Sequence, residues 1–182
     1  KQINTDIVRV VFPKGYDSLA NRIANVARIL GDETAKTIGG EQKKWTIILQ
    51  NQTTIPNGNV RMAPVMSEFY WTPDQNNFSN CSLRWDDNLT THEIRHIQQL
   101  SNFNKGFTRV FSFFFGQEGQ LLSNGLTVPD YFMEGDAVWH ETLVSSHGRS
   151  SLPSFYNGFK SLWLGNKHYS WMKLRNGSYK DL

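Results

Sequence analysis

The chain has 182 residues, which suits one domain and leaves little room for two. Hydrophobic residues make up 38% and charged residues 19% of it, so there is enough apolar material for a core and too little charge for a disordered chain. The net charge of +3 involves no Lys/Arg cluster larger than Lys43-Lys44, and no apolar run approaches the roughly eighteen residues of a membrane span, so we expect neither nucleic-acid binding nor a membrane span.

The first third of the chain predicts a strand, a helix and a second strand. Residues 7–12 are a β-branched apolar run typical of a strand. Asp17 or Ser18 can cap a helix whose apolar residues recur at helical spacing, and Gly31 can end that helix. Residues 45–49 are the second predicted strand.

The next segment predicts a hairpin or strand and then a loop. Asn57-Gly58 indicates a turn, and residues 60–71 are one strand or a hairpin that is broken near Pro64. The polar residues 74–86 are a loop. Cys81, the single cysteine, excludes an internal disulfide and a cysteine-rich zinc site, and we expect it to be a partly buried small apolar residue.

Three helices follow, at about residues 87–100, 107–122 and 129–144. The second has phenylalanines every three or four residues, so we expect its apolar face to be buried. After Ser145 the periodicity is weak. Strands followed by helices predict an α+β fold in one domain, with a sheet-and-helix part and then a mainly helical part, and we expect the natural polypeptide to be longer than this chain.

Residues 92–96 carry the pattern HExxH on the first of these helices. His92 and His96 lie four residues apart on one helical face, so both rings can reach one metal ion, and Glu93 can approach a water molecule at that ion. This pattern indicates a zinc site. The competing interpretation is that both histidines lie on the helix surface and that Glu93 pairs with Arg95 or a lysine.

A catalytic zinc ion needs a third protein ligand. The metzincin continuation of HExxH would place Gly at position 99 and His at position 102, where this chain has Gln99 and Asn102, so that class is excluded. The remaining option is a carboxylate from a later helix. Glu134 lies in the first turns of such a helix, and the small residues Gly135 and Ala137 would let it approach the histidine helix closely.

HExxH followed by aromatic-aromatic-x-Glu-Gly-x-Ala at residues 131–137 resembles the gluzincin zinc metallopeptidases. Residues 57–73 together with residues 89–93 look more closely like the peptidase-MA-like modules of exported bacterial proteins. The resemblance spans roughly residues 5–145. It implies a zincin-like fold, in which a small mixed or antiparallel sheet packs on the HExxH helix (residues 5–100) and a mainly helical part follows (residues 104–182). It also implies export to the periplasm, the cell surface or the medium.

The resemblance implies a zinc-dependent peptidase. His92, His96 and Glu134 would bind Zn²⁺, and Glu93 would be the general base that activates a water molecule at the metal to hydrolyse a peptide bond. The strand within residues 60–71 would be the sheet edge along which an extended peptide or protein substrate binds.

The chain departs from the gluzincin pattern in two places. Tyr131 stands where many relatives have Trp, and Val138 stands where thermolysin-type enzymes have an Asp four residues after the ligand. A ligating histidine must therefore donate its other ring N–H to another acid, such as Asp136 or Glu141. Because Glu141 lies two turns from Glu134 on the same face, it is also the alternative third ligand.

The residue that stabilises an oxyanion stays open among five candidates, which are His140, His147, Arg149, Tyr156 and Tyr169. His140 is six residues from Glu134, so it should point away from that ligand and lie on the surface. Residues 145–149 are either an active-site loop or a plain connector.

Two other functions stay open. One is a non-catalytic, metal-stabilised binding module of a cell-envelope or secreted assembly, suggested by the abrupt C-terminus and by Val138. The other is metal-assisted hydrolysis of a bond other than a peptide bond.

Overall fold

The structure is a computed structural model that describes residues 1–72 and 82–176. Cys81 and most of the predicted loop at residues 74–86 lie outside the described residues. Within the described part, the chain forms five strands and six α-helices, which confirms the predicted α+β class.

The strands form one mixed sheet. They are β1 (Gln2–Asn4), β2 (Val8–Val11), β3 (Trp45–Gln50), β4 (Asn57–Arg61) and β5 (Met66–Tyr70), and their order across the sheet is β1-β2-β3-β5-β4. The central strands β2, β3 and β5 are parallel, whereas β1 and β4 run antiparallel to their neighbours. Among residues 1–72 and 82–176, β4 is therefore an edge strand, and its outer backbone groups have no partner strand there.

The α-helices are α1 (Asp17–Ala35), α2 (Trp85–Asn102), α3 (Gly106–Thr127), α4 (Asp130–Ser145), α5 (Asn157–Leu164) and α6 (Trp171–Asn176). Two short 3₁₀ turns, Arg149–Ser151 and Pro153–Tyr156, lie between α4 and α5. The helices after Ser145 are short, which is why the sequence shows little periodicity there.

The hydrophobic core lies where α1 and α2 pack on the sheet. Side chains alternate between buried and half-buried along β3, as the two-residue period of a strand requires. The buried face of β3 meets apolar residues of both helices, among them Ile23 and Ile94. Burying each large apolar side chain stabilises the fold by about 1.5–3 kcal/mol. This core positions α2.

Two glycines do not act as the sequence predicts. Gly31 lies inside α1 and does not end it, since the helix continues to Ala35 with the Gln42 side chain close against this position. Gly58 is a residue of β4, not of a turn. The chain reverses later, between β4 and β5, where the Ala63-Pro64 bond is cis, so the predicted hairpin broken near Pro64 is confirmed.

α2 is buried along nearly its whole length although it is rich in polar residues. It packs against α1, β4 and α4. The amide nitrogen of Gln98 is an example of how its polar donors are satisfied, because it donates to the Gly31 carbonyl at 3.1 Å and to the Thr34 hydroxyl at 2.6 Å. A helix enclosed in this way holds its side chains in fixed positions.

The prediction that the apolar face of α3 is buried is wrong. Phe113, Phe114 and Phe115 are 82%, 70% and 65% exposed. The buried residues of this helix are instead small or polar, namely Thr108, Gly119, Gln120, Ser123 and Asn124. The periodicity predicts correctly that the helix has two different faces, but here the polar face makes the internal contacts.

α3 folds back on itself at Gly116, whose backbone angles (φ 63°, ψ −146°) are ones that favour glycine. The hydroxyls of Thr108 and Ser123 are 2.8 Å apart across the two arms, whereas fifteen residues of straight helix would separate them by about 22 Å. Phe113 to Phe115 consequently lie at the tip of a helical hairpin. None of the described helices has the length and hydropathy needed to cross a membrane.

Candidate metal centre

α2 and α4 bring the predicted site residues together. His92, Glu93 and His96 lie on α2, and Glu134 lies near the start of α4, which packs against α2. Of the two small residues beside Glu134, Ala137 is fully buried. A Cβ at Gly135 would meet nothing within 4 Å, so this glycine is not needed for the approach of the two helices.

Three donor groups converge at one point. The Nε2 atoms of His92 and His96 are 3.1 Å apart. Glu134 faces both rings, with Oε2 3.4 Å from Nε2 of His92 and Oε1 3.4 Å from Nε2 of His96. Ligand atoms that lie 2.0–2.1 Å from a tetrahedral metal ion are separated by about 3.3 Å. The spacing of these donors fits such an ion, and together they form a possible metal-binding group.

The outer nitrogens of the two rings fix their tautomers. His92 Nδ1 is 2.5 Å from Oε1 of Glu141, and His96 Nδ1 is 2.9 Å from Oε1 of Gln99. Both partner atoms are acceptors, so each Nδ1 carries a proton and donates it. In the neutral rings both Nε2 lone pairs then point at the same place as a carboxylate. Three acceptors at this spacing repel one another unless a cation or a proton lies between them.

Gln99 connects His96 to a second carboxylate. Its Nε2 donates to the Met133 carbonyl at 2.9 Å and to Oδ2 of Asp136 at 2.7 Å, which orients the amide so that its oxygen faces His96. Arg95 donates to both oxygens of Asp136, at 2.7 and 2.8 Å. Burial opposes ionisation of Asp136, but the bonds from Arg95 and Gln99 outweigh it and lower the pKa of this carboxyl. Asp136 thus acts on His96 through Gln99.

Glu141 is fully buried and lies on the outer side of His92, away from the converging donors. Arg149 holds it, with Nε donating to Oε2 at 3.0 Å and Nη2 donating to Oε1 at 2.5 Å. Burial would raise the pKa of Glu141, but the bonds from His92 and Arg149 outweigh that effect and lower it. Although Arg149 Nη2 is 2.9 Å from His92 Nδ1, both are donors, so they share Oε1 of Glu141.

Glu93 is only 4% exposed, and its Oε2 has no hydrogen-bond partner among the described residues. Burial raises the pKa of this carboxyl. The backbone of β4 passes directly over it, because a Cβ at Gly58 would be 2.9 Å from Oε1 of Glu93 and 2.7 Å from Cδ1 of Leu89. Any residue other than glycine at position 58 would displace this carboxylate. The alternative pairing of Glu93 with Arg95 does not occur, since Arg95 bonds Asp136.

The converging donors face a cavity of about 740 Å³. β4 forms one wall, α2 and α4 form the others, and Leu121 of α3 and Arg149 lie at its margin. The cavity has both polar and apolar sides, and its volume suits a ligand the size of several amino-acid residues.

The charges in the donor group are strongly coupled. Burial alone would lower the pKa of His92, but the bonds to Glu134 and Glu141 outweigh it and raise the pKa to about 9. In turn, the bonds that Glu134 accepts from His92 and His96 lower the pKa of the Glu134 carboxyl. Without a metal ion, a proton on His92 takes the place of the cation.

The five oxyanion candidates differ in their positions. Arg149 lines the cavity. His140, predicted at the surface, is instead fully buried, and burial, followed by the charge of Arg95, lowers its pKa to about 4. The prediction fails because the buried face of α4 is formed by Ala137, His140 and Glu141, which lie three or four residues apart, whereas the Glu134 side chain is 63% exposed. His147 is exposed, and its backbone N–H donates to Ser145 Oγ at 3.1 Å. Tyr156 is also exposed. The Tyr169 ring lies under the ammonium of Lys173.

Sequence reasoning missed three residues that shape the site. Gln99 lies three residues after His96 on the same helical face, and this spacing alone could have marked it as a partner. Arg95 was considered only as a partner for Glu93. Gly58 carries no local signal, because its role depends on where β4 passes over α2. No known protein family, curated protein or solved structure significantly matches this chain, so the resemblance to gluzincins rests on the two short motifs.

Proposed function

We propose that this protein is a zinc-dependent peptidase with a zincin-like fold. The observation that carries the proposal is the convergence of His92, His96 and Glu134 at tetrahedral ligand spacing, with Glu93 beside them in the same cavity. Two imidazoles and one carboxylate are a donor set that catalytic zinc sites use. The partners of the outer ring nitrogens support the same interpretation, because ligating histidines usually donate their other N–H to a carboxylate or amide oxygen.

Zinc at this site would polarise a substrate carbonyl and make a water molecule a stronger nucleophile. Glu93 is placed to take the proton of that water and to pass it to the leaving amine. Its raised pKa favours this role, since a general base works best when its pKa is closer to the working pH. Glu141 and Gln99 hold the two rings so that the unprotonated nitrogens face the ion.

β4 supports a peptide as the substrate. Its outer backbone groups have no partner strand in the sheet, and four of its residues, Asn57, Gly58, Asn59 and Val60, line the cavity. An extended peptide could add to this edge by backbone hydrogen bonds, which would bring one of its carbonyl groups to the donor group. The edge strand β4 shares only Val60 and Arg61 with the predicted residues 60–71, because β5, the strand that lies within that range, is inside the sheet.

The competing function is a binding module that keeps a metal without cleaving anything. Val138 suggested it, because the usual acid is missing at that position. The hydrogen bond from His92 to Glu141 weakens this argument, since Glu141, three residues further along α4, accepts the ring N–H that the usual acid would accept.

The two functions are separated by measuring zinc content and peptide hydrolysis on the same preparation. We expect about one zinc ion per chain, hydrolysis of some members of a mixed peptide library, and loss of hydrolysis with a chelator. Glu93→Gln should keep the zinc and lose at least about 10²-fold in kcat, whereas the matched exposed variant Glu118→Gln should match the wild type. Zinc bound at full stoichiometry with no cleavage would favour the binding module, and absence of zinc binding would remove both.

A further inference from the structure

Many large apolar side chains are exposed in the segment that begins at the second 3₁₀ turn. Phe159, Trp163 and Leu164 of α5 are 46%, 60% and 90% exposed. Further exposed residues of the same segment are Phe155, Tyr156 and Met172. Residues 153–173 are here called the lysine-aromatic segment. A water-facing cluster of this kind usually marks a surface that binds something.

α5 carries one lysine between its two aromatic side chains. Phe159 and Trp163 are one helical turn apart, with ring centroids 5.5 Å from each other. Lys160 is exposed and lies one turn before Trp163 and Leu164, so the ammonium and these apolar side chains share one side of the helix. Lys173 is also exposed, and its Nζ lies 3.5 Å from the centre of the Tyr169 ring.

The charge around this segment has a single sign. Between residues 142 and 176 the sequence contains five Lys or Arg and no Asp or Glu. The exposed apolar surface at the tip of the α3 hairpin differs, because the exposed acid Glu118 follows Phe115 by three residues. A second copy of the lysine-aromatic segment would bring like charges together, so self-association through this surface is disfavoured.

We propose that the lysine-aromatic segment docks on the surface of an anionic phospholipid bilayer. Apolar and aromatic residues of an interfacial helix enter the boundary between headgroups and acyl chains, and neighbouring lysines are attracted to the anionic lipids. Trp163 suits this boundary, since an indole ring is amphipathic. The segment would lie along the membrane, and the inference does not depend on the metal site.

The test is co-sedimentation of the full chain with vesicles of phosphatidylcholine alone and with vesicles that also contain phosphatidylglycerol. We expect binding to the anionic vesicles that weakens with added salt. Lys160→Glu/Lys173→Glu should weaken it about thirtyfold or more, since each basic residue near an anionic surface is worth roughly a factor of five. Phe159→Ser/Trp163→Ser should also weaken it, which a purely electrostatic contact would not show.

Two controls decide whether the surface is specific. Lys14→Glu/Lys36→Glu changes the net charge equally in the sheet half, and Phe113→Ser/Phe114→Ser removes a similar apolar surface from the hairpin tip. Both should bind within about twofold of the wild type. The proposal is overturned if the wild type binds neither kind of vesicle, or if the control variants weaken binding as much as the test variants. It is also overturned if sedimentation velocity shows a dimer that Lys160→Glu/Lys173→Glu dissociates.

Discussion

In the half of the molecule formed by the sheet, α1 and α2, large apolar side chains such as Trp45 and Phe69 are buried. In the half that follows α2, the largest apolar side chains lie at the surface, and the buried side chains of α3 and α4 include Gln120, His140 and Glu141. Hydrophobic burial organises the first half. Polar contacts hold the second half to it, above all the bonds of Arg95 and Gln99 to Asp136.

The candidate metal centre lies where these two halves meet. Its histidines come from α2, which the hydrophobic core holds, and Glu134 comes from α4, which a polar network holds. The position of Glu134 relative to the rings therefore depends on that network. A metal ion bound by all three residues would add a further link between the halves, and it would stabilise the folded chain in proportion to its occupancy.

The largest expected effect is a difference in the free energy of unfolding between a mutation in the first half and one in the second half. Phe69→Ala removes a fully buried ring from the core and should lower the free energy of unfolding by about 3–5 kcal/mol. Phe113→Ala removes a ring that is 82% exposed and should change it by less than about 0.5 kcal/mol. Urea denaturation followed by circular dichroism measures both. A comparable loss in the two variants would show that the hairpin tip is covered in solution.

His140 tests how firmly α4 is packed. Its pKa is lowered to about 4, so between this value and the ordinary value of 6.5 the unfolded chain binds the proton more tightly than the folded one. The stability is complete above pH 6.5 and declines as the pH falls to 4, by up to about 3 kcal/mol. The shift comes first from burial and then from the charge of Arg95.

The measurement is the free energy of unfolding of the metal-free protein at several pH values between 6.5 and about 5, above the ordinary pKa values of Asp and Glu. Glu93, whose pKa is raised by burial, is present in both proteins that are compared. His140→Leu should remove the part of the slope that His140 causes. Because neither ring nitrogen has a hydrogen-bond partner among the described residues, the variant should be at least as stable as the wild type at pH 5. If the slope persists in His140→Leu, another group causes it.

The sequence could predict the parts of the site that one helix determines. The four-residue spacing of His92 and His96 already places both rings on one face, and the composition of residues 131–137 marks Glu134. The direction in which an amphipathic helix packs is a tertiary property, which is why the burial of α3 is predicted wrongly. The contact between Gly58 and Glu93 likewise depends on the path of β4 over α2, for which two distant segments must be placed together.

Gly58→Ala tests whether the first half alone sets the position of Glu93, the proposed general base. The added methyl group would overlap Oε1 of Glu93 and Cδ1 of Leu89, and both can move because they end side chains. Zinc content should be unchanged, while kcat falls by up to about 10²-fold because the carboxylate is displaced by roughly an ångström. Gly125→Ala is the matched control, since a Cβ there meets nothing within 4 Å. Unchanged kcat in Gly58→Ala would mean that Glu93 tolerates the shift or has no role in turnover.

The smallest expected effect is a pH dependence of zinc affinity, which arises because residues of the second half change the pKa of His92 in the first half. Bonds to Glu134 and Glu141 from α4 overcome the effect of burial and raise the pKa of His92 to about 9, so at pH 7 to 8.5 a metal ion must displace a proton from its ring. Zinc affinity should then rise about tenfold per pH unit over this range, because one proton is released per ion bound. Calorimetric titrations in buffers of different ionisation enthalpy count that proton. Glu141→Gln weakens the link from α4, so it should release less than one proton at the same pH. If wild type and variant released equal amounts, Glu141 would not control the charge of His92.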